Sequence, residues 1–377
     1  MCCKVESLCE MHRTIALRSF LVLAVLLASS FFAFSAIRHS LAAQAQPLTT
    51  TTTEYRIPSG TNPWGTAVDR NGKIWVALPG CDPSPTCSPG TAPGRFDVFN
   101  PLTSKWVASH ALPSGYAQPL FLAFSKQGVA WFAMPMNNSI GTYNLVSHVF
   151  QQWTVPTAGS GPWDLAIDSN GFIWFTEHYT NKIGRFNPKN HTFLEIATPA
   201  QNSQPYGITV DATNNVWFTE NNSSVALIAE YTNQGKLLEY KIRNSIDNNL
   251  TPHLIAIDKN GNIWWTEGFV GMIGELNISQ ATPGTNNGVH EYTYPQICSG
   301  CYEHTSGIGV DTKGQIWFDD SLQSSFGSFP VSGTGTFSMY PTPTSGSHPH
   351  DGLMVDSQNR IWFDEEFANK LGRVITT

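Results

Sequence analysis

Seven short stretches of the chain place apolar residues around a recurring tryptophan: IWVAL (Trp75), AWFAM (Trp131), IWFTE (Trp174), VWFTE (Trp217), IWWTE (Trp264), IWFDD (Trp317) and IWFDE (Trp362). Another apolar stretch ends six residues before each tryptophan, at Asp69, Ser125, Asp168, Asp211, Asp258, Asp311 and Asp356. The turn between them carries Gly72, Gly128, Gly171, Asn215, Gly261, Gly314 or Asn359. Gly and Asn tolerate a left-handed backbone most cheaply, and the preceding Asp can hydrogen-bond the turn. Each unit therefore reads as a β-hairpin. A third strand follows in KIGRF (182–186), MIGEL (272–276) and KLGRV (370–374), and a fourth in FLEIATP (193–199) and VHEYTYP (289–295).

Four strands recurring roughly every 45 residues predict propeller blades. Seven tryptophans predict an all-β fold, a seven-bladed β-propeller of four-stranded blades. The last unit stops after its third strand near Ile375, while an orphan strand, TEYRIP (53–58), precedes the first unit. That N-terminal strand should complete the last blade and close the ring. Residues 54–377 then form one domain. The tryptophans are expected to pack blade against blade rather than to form a sugar-stacking platform.

Ahead of the propeller, Arg13 and Arg18 precede an apolar run, Phe20 to Ile37, and Ala43-Gln44-Ala45 resembles a cleavage site. Residues 1–45 read as an export signal or, because the run nears bilayer-spanning length, as a retained membrane anchor. Residues 46–53 read as a polar tether. Either reading places the rest outside the cytoplasm, secreted or anchored. Cys81 with Cys87, and Cys298 with Cys301, read as two local disulfides of an oxidising compartment. Metal binding by the second pair is the alternative. The net charge of −7 argues against nucleic acid or an anionic membrane surface as partner. The chain is read as a monomer.

The hairpin turns mark one end of each blade, so chemistry is expected at the other. Three residues after each tryptophan stand Leu78, Met134, Glu177, Glu220, Glu267, Asp320 and Glu365, with Asp319, Asp364 and Glu366 adding acids. The first-strand openings supply Trp64, Trp163, Tyr206 and His253, and the connectors supply His304, His348 and His350. Like charges around one opening repel unless a cation joins them. The expectation is a divalent cation on Glu267, Asp320 and Glu365, with Trp163, Tyr206, His253, His304 and His348 facing a small-molecule or cyclic-peptide ligand. Loops 81–93 and 298–304 rise from this end and would shape its pocket.

GPWDLAIDSNGFIWFTEHYTNKIGRFNP (161–188) and QPYGITVDATNNVWFTE (204–220) resemble the repeats of the virginiamycin B lyase, or streptogramin B lyase, family. The resemblance implies a magnesium-dependent carbon–oxygen lyase that opens a cyclic depsipeptide by elimination, the metal polarising the ester and an imidazole removing the adjacent proton. Carried over by position, His350 is the base and Glu365 a metal ligand. His348 stands where the family has an acid, His304 lies two residues early for the substrate-contacting histidine, and Pro252-His253 is an unshifted opening. The alternative is a non-catalytic propeller that captures a ligand at its acidic end. A six-bladed lactone hydrolase fits the blade count less well.

Overall fold

The computed structural model describes residues 48–376 except 83–86, 88 and 89. The leader or anchor expected over residues 1–45 lies outside the described residues. Among the described residues, seven four-stranded antiparallel sheets form, six built from four consecutive strands each. The seventh pairs the N-terminal strand Thr50–Arg56 with the C-terminal strand Lys370–Thr376, so the ring closes as expected. That strand begins at Thr50 rather than 53. Part of the stretch read as tether therefore belongs to a blade. We number the blades one to seven by their core tryptophans, Trp75 to Trp362.

The turn chemistry is built as the sequence pattern requires. In blade three, Gly171 takes φ 85°, and Asp168 Oδ1 accepts the backbone N–H groups of Asn170 and Phe172. In blade four the left-handed residue is Asn214, φ 65°, one position before the expected Asn215. Asn215 instead donates its side-chain amide to Asp211.

The second oxygen of that aspartate has a further use. In six blades it accepts the indole N–H of the core tryptophan six residues on, at 2.8–3.3 Å, from Asp69–Trp75 to Asp356–Trp362. One carboxylate thus ties the turn to the core. Blade two has Ser125 there, and its hydroxyl accepts only the Val129 N–H. The tryptophans meet the next blade, as Trp75 does Phe124 at 5.4 Å and Trp362 does Phe99 at 5.7 Å. This agrees with their expected packing role.

The glycine of the third strand is explained by the residue after each core tryptophan. A Cβ on Gly274 would lie 2.1 Å from the Trp265 indole, and one on Gly372 would lie 2.2 Å from the Phe363 ring. The aromatic side chain lies flat over the bare backbone, and overpacking here forces a shift. Gly274→Ala is expected to cost about 1–3 kcal/mol, read as a lowered midpoint in urea. An unchanged midpoint would show that blade five can move the ring aside.

Candidate functional site

The first strands of neighbouring blades lie against one another and are therefore innermost. Eleven residues before each core tryptophan the chain enters this layer, at Trp64, Leu120, Trp163, Tyr206, His253, Ser306 and Asp351. The residue two after a core tryptophan fixes the next blade's entry. Thr176, Thr219 and Thr266 donate to the carbonyls of Tyr206, His253 and Ser306, at 2.8, 2.6 and 2.7 Å. Asp319 and Asp364 hold the same place in blades six and seven. Asp364 Oδ1 accepts the Gly352 N–H at 2.7 Å, and Asp319 Oδ1 that of Gly307 at 2.9 Å.

The rings of this layer form a closed circuit. Centroids run Trp64–Trp163 6.2 Å, Trp163–Tyr206 5.5 Å, Tyr206–His253 5.0 Å, His253–His304 4.9 Å, His304–His350 5.5 Å and His350–Trp64 5.0 Å. His348 stacks beside His350 at 5.4 Å and beneath Phe367 at 4.0 Å. Its Nδ1 lies 3.0 Å from Glu366 Oε2. His350 and every residue expected to face a ligand are thus gathered in one place. Exposed aromatics rim it: Phe269 at 4.4 Å from His304, Tyr179 beside Trp163, and Phe367. The two disulfides, Cys81–Cys87 and Cys298–Cys301, are formed.

The acids expected around a cation are not gathered. Glu177, Glu220, Glu267, Asp320 and Glu365 are all fully buried. The four glutamates turn toward the outer strands of their own blades, since side chains alternate along a strand and the axial side is taken by the residue before. Glu177 meets Glu195, Glu220 meets Glu239, Glu267 meets Glu291, and Glu365 meets Glu54. Asp320 accepts from Tyr294, Gln323 and the His304 backbone. Burial raises the carboxyls, Glu177 and Glu365 to about 8 and Glu220 to about 9, with the neighbouring glutamate adding to it. Glu267, Asp320 and Glu365 do not form one centre. Among the described residues no three His, Cys, Asp or Glu side chains are arranged to hold a metal ion.

The acids near the axis are others. Asp351 lies 2% exposed beneath His350 and receives the Tyr206 hydroxyl across the channel at 2.5 Å. Asp164, Asp319 and Asp364 feel its charge. Burial raises Asp351 to about 6, against the pull of His253 and the Tyr206 hydrogen bond. Burial likewise raises Asp319 to about 8 and Asp364 well above its ordinary range. A protonated carboxyl can donate as the threonines do. Burial keeps the imidazoles neutral, lowering His350 and His253 to about 4 and His304 well below its ordinary value. Glu366 is opposed by burial, yet its hydrogen bond with His348 holds it below the usual range.

Sequence reasoning missed Asp351 and Ser306, although their register with Trp163, Tyr206 and His253 was available. It also chose Glu365 where Glu366 is the acid beside His348. Magnesium favours oxygen ligands in a near-octahedral shell. This cluster offers imidazoles and two carboxylates, Glu366 engaged by His348 and Asn62 and Asp351 engaged by Tyr206. The residues present do not fit magnesium. At the opposite rim, a cleft of about 770 Å³ between blades two and three is lined by Lys126, Asp168 and Lys189. Asp168 is already spent on its turn and Trp174.

Fold and site together define an all-β propeller with a histidine- and aromatic-lined axial mouth. The chain belongs to the virginiamycin B lyase family, whose model matches residues 107–377. A solved virginiamycin B lyase from Staphylococcus aureus is 25% identical, with TM-score 0.72, 86% of this chain covered and 99% of that one. A streptogramin B lyase structure is 23% identical, with TM-score 0.72 and 87% and 98% covered. Hydrazine synthase from Kuenenia stuttgartiensis, 12% identical with TM-score 0.66 and 86% and 98% covered, shares the fold. No curated protein matches the chain.

Proposed function

We propose that the mouth is a carbon–oxygen lyase site opening a cyclic ester or depsipeptide outside the cytoplasm, with His350 as its base. One observation carries the reading. His350 is buried, held neutral, and its Nδ1 has no hydrogen-bond partner among the described residues, within a wall formed by Trp64, His304 and His348. A catalytically inactive histidine-to-alanine variant of the Staphylococcus aureus lyase has been solved with quinupristin. The exposed rim of Tyr179, Phe269 and Phe367, 50%, 50% and 68% accessible, suits the apolar side chains of a peptide macrocycle better than a small lactone.

In this reading His350 removes the proton from the carbon next to the one bearing the ester's alkyl oxygen. The C–H electron pair becomes a carbon–carbon double bond, the C–O bond breaks, and its pair leaves on the carboxylate. The product is linear, unsaturated and formed without water. The resulting imidazolium faces Asp351, 3.6 Å away. Two local disulfides support an oxidising, extracytoplasmic setting.

A non-catalytic receptor for the same ligand is the second reading, favoured by His348 standing where the family has an acid. Incubation with quinupristin, followed by mass spectrometry, separates the two. A linear product of unchanged mass supports the lyase. Mass gain of one water indicates hydrolysis, and calorimetric binding without any product indicates a receptor; either outcome sinks the lyase reading.

A further inference from the structure

Asp351 is the only ionisable acid in the register that enters the axial layer, and the arrangement around it is specific. Tyr206 comes from blade four and Asp351 from blade seven, so their 2.5 Å bond crosses the channel and fixes the carboxylate. Ser306 and His253 face it from blades six and five. Its Oδ2 lies 3.6 Å from His350 Nδ1, and that ring nitrogen has no other partner among the described residues. Such a contact is long for a hydrogen bond, and bonds of this kind tighten when substrate closes a site.

We infer that Asp351 is the positioning residue of His350, a carboxylate that holds Nδ1–H and so leaves the Nε2 lone pair free. A neutral imidazole has one protonated nitrogen, and its partner decides which. With Asp351 at Nδ1, the tautomer is the one whose Nε2 can accept a proton. After that transfer the imidazolium keeps Nδ1–H toward the carboxylate, which stabilises it. Tyr206 acts one step further out by aiming the acceptor oxygen. The catalytic consequence rests on the lyase reading; the tautomer does not.

Two readouts keep these apart. The full chain carrying ¹⁵N-labelled histidine is compared with D351N, the His350 signals being identified by their loss in H350Q. Wild type should show His350 protonated at Nδ1. D351N, whose amide can donate to Nδ1, should show the proton at Nε2. Turnover of quinupristin should fall about 100-fold in kcat with KM changed less than about threefold. The same tautomer in both proteins overturns the assignment. A tautomer switch in a chain that never opens the ring upholds the assignment and removes the lyase reading. If D351N fails to fold, Y206F serves: a mixture of His350 tautomers supports the arrangement, and a spectrum identical to wild type overturns it.

Discussion

His350→Ala is expected to abolish most ring opening while leaving the propeller intact. A positioned general base contributes about 10²–10⁴-fold, and the other imidazoles of the mouth are each fixed by a partner of their own. His253 gives its Nδ1 to the Thr251 carbonyl at 2.6 Å, and His304 places its own 2.9 Å from Ser321 Oγ. His348 is engaged by Glu366. Deletion of the ring removes contacts with Trp64, His304 and His348 but, among the described residues, no hydrogen bond, so the melting temperature should fall only by the cost of the cavity it leaves. Quinupristin binding should weaken far less than kcat. The pH profile gives an independent check. Because burial lowers His350 to about 4 and raises Asp351 to about 6, wild-type kcat/KM should rise with pH through about 4, rise again through about 6 as Asp351 becomes the carboxylate that holds Nδ1–H, and stay level above neutrality. Residual activity near wild type in the variant, or a rise near 6 that persists in D351N, would sink the assignment of His350 as a buried base.

The blade count, the closure of the ring and the ring residues of the mouth were legible because a propeller repeats its register. The offset from each core tryptophan to its strand opening is constant, and so places Trp163, Tyr206 and His253 on one layer. Two things were not legible. Which face of a strand a rim residue takes depends on the strand's last hydrogen-bonded pair, and Glu177 pairs with Pro162 while its side chain turns outward. The acids at Trp+3 therefore read as a converging arc, whereas Asp319 and Asp364, one residue earlier, are those near the axis. Blade seven was obscured differently. His348, at φ 57°, adopts a left-handed conformation unusual for a residue with a Cβ. That turn lets both His348 and His350 reach the mouth while Asp351 keeps the regular position, so counting from Pro349-His350 alone misplaces the carboxylates by one.

The buried acids have their own consequence, a protein that loses stability as pH rises. Glu177, Glu365 and Asp319 ionise at about 8 and Glu220 at about 9 in the folded chain, against ordinary values of 4.5 for Glu and 3.8 for Asp. The folded state then binds more protons than the unfolded one between those values. Stability is fully present below the unfolded values and falls as pH climbs through the folded ones. The buried imidazoles act in the opposite sense. Their folded values lie below 6.5, so His178, His253 and His350, each near 4, lower stability only as pH drops beneath 6.5. Between about 6.5 and 9 the carboxyls act without that opposition. Glu220 is the cleanest probe, because it is fully buried and neither of its oxygens has a hydrogen-bond partner among the described residues. At 1.36 kcal/mol per unit, its ionisation accounts for up to about 3 kcal/mol over that window. Glu220→Gln keeps the shape and cannot ionise. Urea unfolding at pH 5, 7 and 9 should show the variant close to wild type at pH 5 and more stable by about 1–3 kcal/mol at pH 9. Parallel pH profiles for the two proteins would mean that Glu220 is already charged in the folded blade, compensated by a cation that its two oxygens and Glu239 would have to share.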